Sequence, residues 1–261
     1  MNDERVFRGT APDYTRFRLP YPQPMFEALI AEAREGSGTG RLLDLGCGPG
    51  RVVLPLAPAF AQAVAVDPEP EMISEGKRVA AQLGVSNIEW VVARAEDVEY
   101  PDRSIDLVTV GQAFHWFDQR LVADRIRGWL RDDGAVALIW QMCPWCGDSA
   151  WHHAVADVLG RWTGRGTATK PTARTRTSLP FEDVLHDAEF RDIETRLFHV
   201  PHVWSLDSLA GFFRSTSAVS LHSLGEHAEE FDRDLRESLL VCDPRGEFAE
   251  NVEFGFMIGR R

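Results

Sequence analysis

The residues best placed to do chemistry form one short run, Asp44-Leu45-Gly46-Cys47-Gly48-Pro49-Gly50, which follows an apolar segment and precedes a helix-forming one. Glycines in such a loop permit a tight turn at positive φ and let a ligand lie against the backbone with no side chain in the way. Their Gly-x-Gly-x-Gly spacing differs from the Gly-x-Gly-x-x-Gly of dinucleotide binders, and no Gly-Lys-Ser/Thr ending makes the loop a P-loop. Asp67 closes a second apolar run, Ala63 to Val66, seventeen residues after Gly50. A carboxylate there can accept hydrogen bonds from both hydroxyls of a ribose, and can also cap a helix starting near Glu69.

A third group of candidates could act as bases, thiols or anion clamps. His115 stands just past the apolar run Ile105 to Val110 and can take a proton at neutral pH, or pack against Trp116. His152 and His153 follow Trp151 and read as part of a solvated helix. His199, His202, His222 and His227 are scattered singly. Cys143 and Cys146 have redox-motif spacing, without the early-strand context of that motif, and read equally as two loop thiols. No carboxylate–histidine cluster has metal-ligand spacing. Arg161, Arg165, Lys170, Arg174 and Arg176 form an acid-free basic stretch that suits an anionic partner or a solvated loop.

Alternating strands and helices must position these groups. Leu42 to Leu45, Ala63 to Val66, Ile88 to Val92, Ile105 to Val110 and Ala135 to Trp140 are short, continuously apolar runs, as in strands buried on both faces of a parallel sheet. Helices are expected over Met25 to Arg34, ended by the Gly36–Gly40 run, and over Glu69 to Leu83 with Gly84 at its end. A further helix is expected over Asp118 to Leu130 with Asp118 as its cap. The helix after the glycine loop, starting near Arg51, contains Pro55 and Pro58 and must be short or kinked. Later, a helix from Phe181 to Ala188 and strands Ile193 to Val200 and Val252 to Ile258 resume the rhythm. The pattern predicts a single α/β domain, a Rossmann-like doubly wound, mostly parallel sheet with helical lid insertions. Its core covers about 36–140, 181–200 and 250–261. Residues 1–35 precede it, and 141–180 and 201–249 are insertions over the ligand end of the sheet.

With these motifs in order, the chain resembles the class I S-adenosylmethionine-dependent methyltransferases, strongly over residues 36–140. Leu42 to Gly50 is similar to their first motif and Val66-Asp67 to their second. The string Gln112-Ala113-Phe114-His115-Trp116-Phe117 resembles a small-molecule subgroup related to trans-aconitate methyltransferase. The resemblance implies S-adenosylmethionine as cofactor, with S-adenosylhomocysteine as product. It implies that Gly46, Gly48 and Gly50 approach the methionyl part and ribose, that Asp44 orients the amino group, and that Asp67 holds the ribose. Met72, or Pro68 beside it, would pack on the adenine face, with Ala95 and Glu96 at the adenine edge and Gln112 and Ala113 on the methionyl side. Tyr14 and the stretch from Arg18 to Tyr21 would belong to a cofactor-covering segment. Trp116 would shape the pocket, and His115 would be the catalytic base.

Composition narrows the acceptor. A formal net charge of −12 over 261 residues disfavours phosphate backbones. The chain also lacks the Asn/Asp-Pro-Pro-Tyr/Phe string of enzymes that methylate bases. No apolar stretch approaches the ~20 residues of a membrane span, and Met1 to Tyr14 lacks the apolar centre of a signal peptide. The expectation is a cytoplasmic protein with reduced cysteines, a small-molecule acceptor, and neither nucleic acid nor membrane as partner. Aromatic residues in the insertions, among them Trp145, Trp151, Trp162, Trp204, Phe212 and Phe213, suit an apolar pocket. O-methylation is favoured over N- or C-methylation. The alternatives are a cofactor-binding protein without methyl transfer, such as a cyclase or binding module, and a macromolecule methyltransferase. Oligomeric state is not legible.

Overall fold

A computed structural model describes residues 9–34, 40–162, 181–216, 219 and 221–261. The elements run α1 (Ala11–Phe17), α2 (Gln23–Arg34), β1 (Arg41–Leu45), α3 (Val53–Leu56), β2 (Gln62–Asp67), α4 (Pro70–Leu83), β3 (Ile88–Val92) and β4 (Ile105–Gly111). They continue with α5 (Gln119–Trp129), β5 (Leu130–Gln141), α6 (Ala150–Trp162), α7 (Phe181–Asp187), β6 (Arg191–Ser205), α8 (Leu206–Arg214), α9 (Leu221–Leu224), α10 (Ala228–Cys242) and β7 (Glu247–Arg260). The sheet has the order β3-β2-β1-β4-β5-β7-β6. Its first five strands pair in parallel, and β7 runs antiparallel between β5 and β6.

Local signals account for the helix ends. Pro70 opens α4, the Glu69 side chain accepts from the Glu71 N–H, and Gly84 closes the helix at φ +70°. Asp118 caps α5 by accepting from the Leu121 N–H, as its position predicts. The proline-bearing helix after the glycine loop is indeed broken. α3 has four residues and passes into a single 3₁₀ turn over Ala57–Ala59.

Alternation along the strands divides the core. Leu42, Leu107 and Ala137 face α2 and α3 through Met25, Leu29 and Val53, whereas Leu43, Val108 and Val136 face α5 and α7 through Val122, Ile126 and Leu185. A third apolar cluster lies apart from both. Trp151, Val155 and Leu159 of α6, Phe212 and Phe213 of α8 and Phe231 and Leu235 of α10 pack around Trp204 and Phe248. The insertions therefore carry a core of their own.

Three expected boundaries are corrected. β6 extends over Arg191–Ser205 and β7 over Glu247–Arg260, because their antiparallel ladder continues past the apolar runs. β6 is an edge strand, so Pro201 sits within it with no cost to the sheet interior. β5 begins at Leu130, which ends the helical stretch one residue early. Most of Gly36–Gly40, and Arg165, Lys170, Arg174 and Arg176, lie outside the described residues. Among the described helices, none is long and apolar enough to cross a membrane.

Candidate functional site

The switch in strand order falls between β1 and β4, and a crevice opens beyond their carboxyl ends. The loop from β1 supplies its floor. Gly46, Gly48 and Gly50 hold φ of +66°, +53° and +88°. At Gly46 the reason for glycine is double, because a Cβ would also lie 2.4 Å from the Ala113 Cβ. Ala113 thus packs directly on the loop, and the turn after β4 is fitted to the turn after β1.

Two carboxylates stand under this floor. Register pairs Asp44 with Thr109, so both point to one face, and the Thr109 hydroxyl donates to Asp44 Oδ1 at 2.7 Å. Asp44 Oδ2 is buried with no hydrogen bond of good geometry, the Val53 amide being the backbone donor that acts on the carboxyl. Burial pushes the Asp44 carboxyl up to about 7, against the opposing hydrogen bonds from Thr109 and the Val53 amide. Asp67 accepts from the Gly48 N–H (2.8 Å) and the Glu69 N–H (2.9 Å), tying β2 to the glycine loop. Its pKa is raised by burial to about 6, with those same amides pulling the other way. The cap of α4 is Glu69, so Asp67 stands two residues before the cap position.

The N-terminal segment crosses above. Tyr14, Tyr21, Asp44, Gly46, Arg51 and Gly111 line one cleft. Arg51, from the glycine-loop side, donates to the Leu19 carbonyl and lies over the rings of Tyr21 (4.7 Å) and Tyr14 (5.8 Å). Arg18 turns to α8: it donates to Ser215 Oγ at 2.8 Å and lies over Phe212 and Tyr14. Desolvation lowers its pKa, with the Tyr14 hydroxyl opposing. Arg18 therefore joins the covering segment to the insertion core.

The remaining sequence-derived residues fall around this crevice. Met72 and Ala95 are buried and Pro68 is exposed. Glu96 accepts from the Asp118 N–H at 2.8 Å, which links the loop after β3 to the start of α5. Gln112 holds φ +57°, and its Nε2 donates to the Gln141 carbonyl at 2.8 Å. His115 and Trp116 occupy a 3₁₀ turn with ring centroids 5.2 Å apart. The His115 residue is exposed at its surface, yet protein crowding around the ring lowers its pKa by desolvation.

Two expectations about the insertions change. His152 is not solvated: it is 6% exposed, stacked on Trp151 at 3.7 Å, and its Nδ1 lies 2.5 Å from Ser149 Oγ. Its place on the apolar face shows in the spacing of His152, Val155 and Leu159, three and four residues apart, which marks one side of a helix. Arg161 is engaged with Asp234 at 2.9 Å, which also accepts from Trp162 Nε1, so it is part of the α6–α10 packing. Cys143 and Cys146 are both free thiols in a turn, with a hydrogen bond between them and the Cys143 thiol pushed up by that bond and by burial. Among the described residues no group of His, Cys, Asp and Glu could hold a metal ion. Arg51, Thr109, Gln141 and Glu250 have no expected site role from sequence, since no local motif marks them.

Comparison with known proteins agrees with this geometry. Residues 42–134 match a family described as a methyltransferase domain. An uncharacterised methyltransferase of Mycobacterium tuberculosis is 31% identical over 155 residues, which is 59% of this chain and 59% of that protein. The chain thus matches under two thirds of the length of that relative. An uncharacterised methyltransferase of Schizosaccharomyces pombe is 25% identical over 97% of this chain and 94% of its own. Among solved structures, a type II methyltransferase candidate from Anaeromyxobacter dehalogenans superposes with a TM-score of 0.65 at 25% identity, covering 93% of this chain and 97% of that one. A Haemonchus contortus phosphoethanolamine N-methyltransferase bound to S-adenosylhomocysteine shares the fold, with a TM-score of 0.60 at 16% identity, covering 100% of this chain and 60% of that one. The sheet is that of the Rossmann-like class I methyltransferases. Residues 42–134 are thus similar to a methyltransferase domain, and the sheet that holds them has the matching fold.

Proposed function

We propose that the whole protein transfers a methyl group from S-adenosylmethionine to a small-molecule acceptor, with oxygen the favoured atom. The observation that carries the cofactor reading is Asp44 Oδ2, a buried acceptor with no hydrogen bond of good geometry beneath a glycine-lined floor. Such an atom calls for a donor, and an ammonium group supplies one along with the opposite charge. A Cβ on Gly48 would meet nothing within 4 Å, so the loop is open where a ligand would lie.

On this reading Asp44 holds the amino group of the cofactor, and Gly46, Gly48 and Gly50 admit its methionyl part and ribose. Asp67 accepts from the ribose hydroxyls, and Met72 with Pro68 flanks the adenine face. Ala95 and Glu96 stand at the adenine edge, Gln112 and Ala113 on the methionyl side, and Tyr14 and Arg18 close the cover. Trp116 shapes the wall. When bound, the cofactor supplies a methyl group on a cationic sulfur, which needs an aligned nucleophile more than it needs activation. His115, held neutral by its lowered pKa, takes the proton of an acceptor hydroxyl. The aromatic core of α6, α8 and α10 beside the crevice supports a small, largely apolar acceptor over a macromolecule. The Gln112–Phe117 string, similar to the trans-aconitate methyltransferase subgroup, supports the same choice.

Calorimetric titration with S-adenosylmethionine and S-adenosylhomocysteine tests the cofactor half. Micromolar binding of either is expected, and no binding by folded protein would remove the reading. With an acceptor in hand, His115→Ala is expected to slow turnover by about 10²-fold or more. A near-normal rate would leave His115 as packing.

A further inference from the structure

Beyond the cofactor cleft, the same face of the sheet holds a second set of buried polar atoms that the fold leaves unpaired. Gln141, at the end of β5, is 4% exposed, and neither its Oε1 nor its Nε2 has a hydrogen-bond partner. A buried amide with both functions unmet costs about 1–3 kcal/mol for each unsatisfied group, so its retention calls for a ligand. Its position is next to the cofactor crevice. Its carbonyl accepts from Gln112 Nε2, and its register partner Phe254 lies edge-on to Tyr21, which lines the cleft.

A third unpaired atom is His152 Nε2. The Ser149 N–H points at Nδ1 (3.2 Å) and can only donate, so Nδ1 is the bare nitrogen and the ring proton sits on Nε2. That N–H faces Glu250 Oε1 at 3.7 Å, too far for a hydrogen bond, while Glu250 Oε2 accepts from Trp204 Nε1 at 2.7 Å. A donor and an acceptor thus stand side by side, neither committed to the other. Glu250 and Phe254 share a face of β7, four residues or about 13 Å apart along the strand. Cys143 bridges the region, its thiol feeling the charges of both Arg18 and Glu250. Aromatic rings wall both ends, Tyr21 and Phe254 at one and Trp151, His202 and Trp204 at the other.

We propose that Gln141 and the His152–Glu250 pair are the two ends of the acceptor subsite, and that it takes an uncharged, ring-bearing molecule with a hydroxyl at each end. This rests on the methyltransferase reading above and names its substrate class. A hydroxyl both donates and accepts, which matches the amide of Gln141 at one end and the Glu250 carboxylate with the His152 N–H at the other. A carboxylate-bearing acceptor is disfavoured, because Glu250 would face a like charge in a poorly solvated place.

The test uses the full chain saturated with S-adenosylhomocysteine and three probes observed by ligand NMR: tyrosol, para-hydroxyphenylacetate and para-ethylphenol. Tyrosol is expected to bind about tenfold tighter than either of the others, the scale of one well-made hydrogen bond. Gln141→Met, similar in size and apolar, is expected to weaken tyrosol by a like factor at unchanged S-adenosylhomocysteine affinity. Glu250→Gln is expected to narrow the gap between tyrosol and para-hydroxyphenylacetate. Equal binding of tyrosol and para-ethylphenol, tighter binding of para-hydroxyphenylacetate, no binding of any probe, or indifference to Gln141→Met would each overturn the proposal. Failure to bind S-adenosylhomocysteine at all would instead remove the methyltransferase reading, and this proposal with it.

Discussion

The carboxyl ends of β1 and β2 and the junction of β5 with β7 both bury polar side chains, but in opposite states. Around the glycine loop nearly every polar atom is committed within the chain. Asp67 receives two backbone N–H groups, Thr109 donates to Asp44, and one oxygen of Asp44 stands over. At the β5–β7 junction, both amide atoms of Gln141 and the Nε2 of His152 have no partner. On the proposed reading the first region is a frame for one ligand of fixed chemistry. The second keeps its hydrogen-bonding groups unspent at a cost to stability, the pattern expected where recognition is set by the substrate instead of the fold.

The largest way to break this comparison is Gly46→Ala. Its Cβ collides with Ala113 and the residue must hold φ +66°, so S-adenosylhomocysteine affinity should fall by at least about 100-fold, or roughly 3 kcal/mol. Adding Ala113→Gly should recover part of the loss, because it removes the collision and leaves the backbone strain. Calorimetry on protein shown to be folded by circular dichroism reads both. Asp67→Ala comes next, at roughly 1–3 kcal/mol of cofactor affinity, the scale of hydrogen bonds to a charged group. Unchanged affinity would take Asp67 out of the site.

A smaller effect is pH dependence at Asp44. Its folded pKa of about 7 lies above the ordinary 3.8, so the folded state holds the proton more tightly than the unfolded one. The free protein should therefore lose stability as pH rises from about 4 through about 7, with Tm falling across that window. Binding of a cationic amino group favours the ionised carboxylate and runs the other way, so affinity should rise about tenfold between roughly pH 6 and pH 8. Asp44→Asn should flatten that rise, and an affinity independent of pH in the unaltered protein would detach Asp44 from the amino group. The smallest expected effect has the reverse sign. Gln141→Met removes two unmet buried polar groups and should raise Tm by about 2–4 °C for each kcal/mol that survives relaxation of the site. A fall in Tm would show that Gln141 is structural and would erase the contrast.

The same contrast governs what could be read from sequence. The glycine loop, Asp67 and the turn after β4 are contiguous strings whose backbone demands fix their residue types, and the structure places them together around one crevice. All seven strands were legible, the first five of them as continuously apolar runs. Their ends on the β6–β7 side were not, since a hydrogen-bonded ladder carries β6 past Val200 through Pro201 and His202 whatever the side chains. Gln141, His152 and Glu250 come from three elements far apart in the chain, and each alone resembles an ordinary polar residue. Only His152 left a trace, its helical spacing with Val155 and Leu159, which the adjacent exposed His153 obscured.

The placement of β7 has a consequence for synthesis. It is the last of this sheet's seven strands to be made, yet it lies between β5 and β6 with pairing on both sides. Until Glu247–Arg260 has left the ribosome, β5 and the long β6 each present an open edge, and the polar cluster at their junction lacks Glu250. A nascent chain stopped in α10 would hold the glycine loop and the first five strands complete while exposing the open edges of β5 and β6, the state in which sheet proteins join one another wrongly. Chaperone capture of ribosome-bound chains should thus peak late, after the cofactor frame is built and before the sheet is closed.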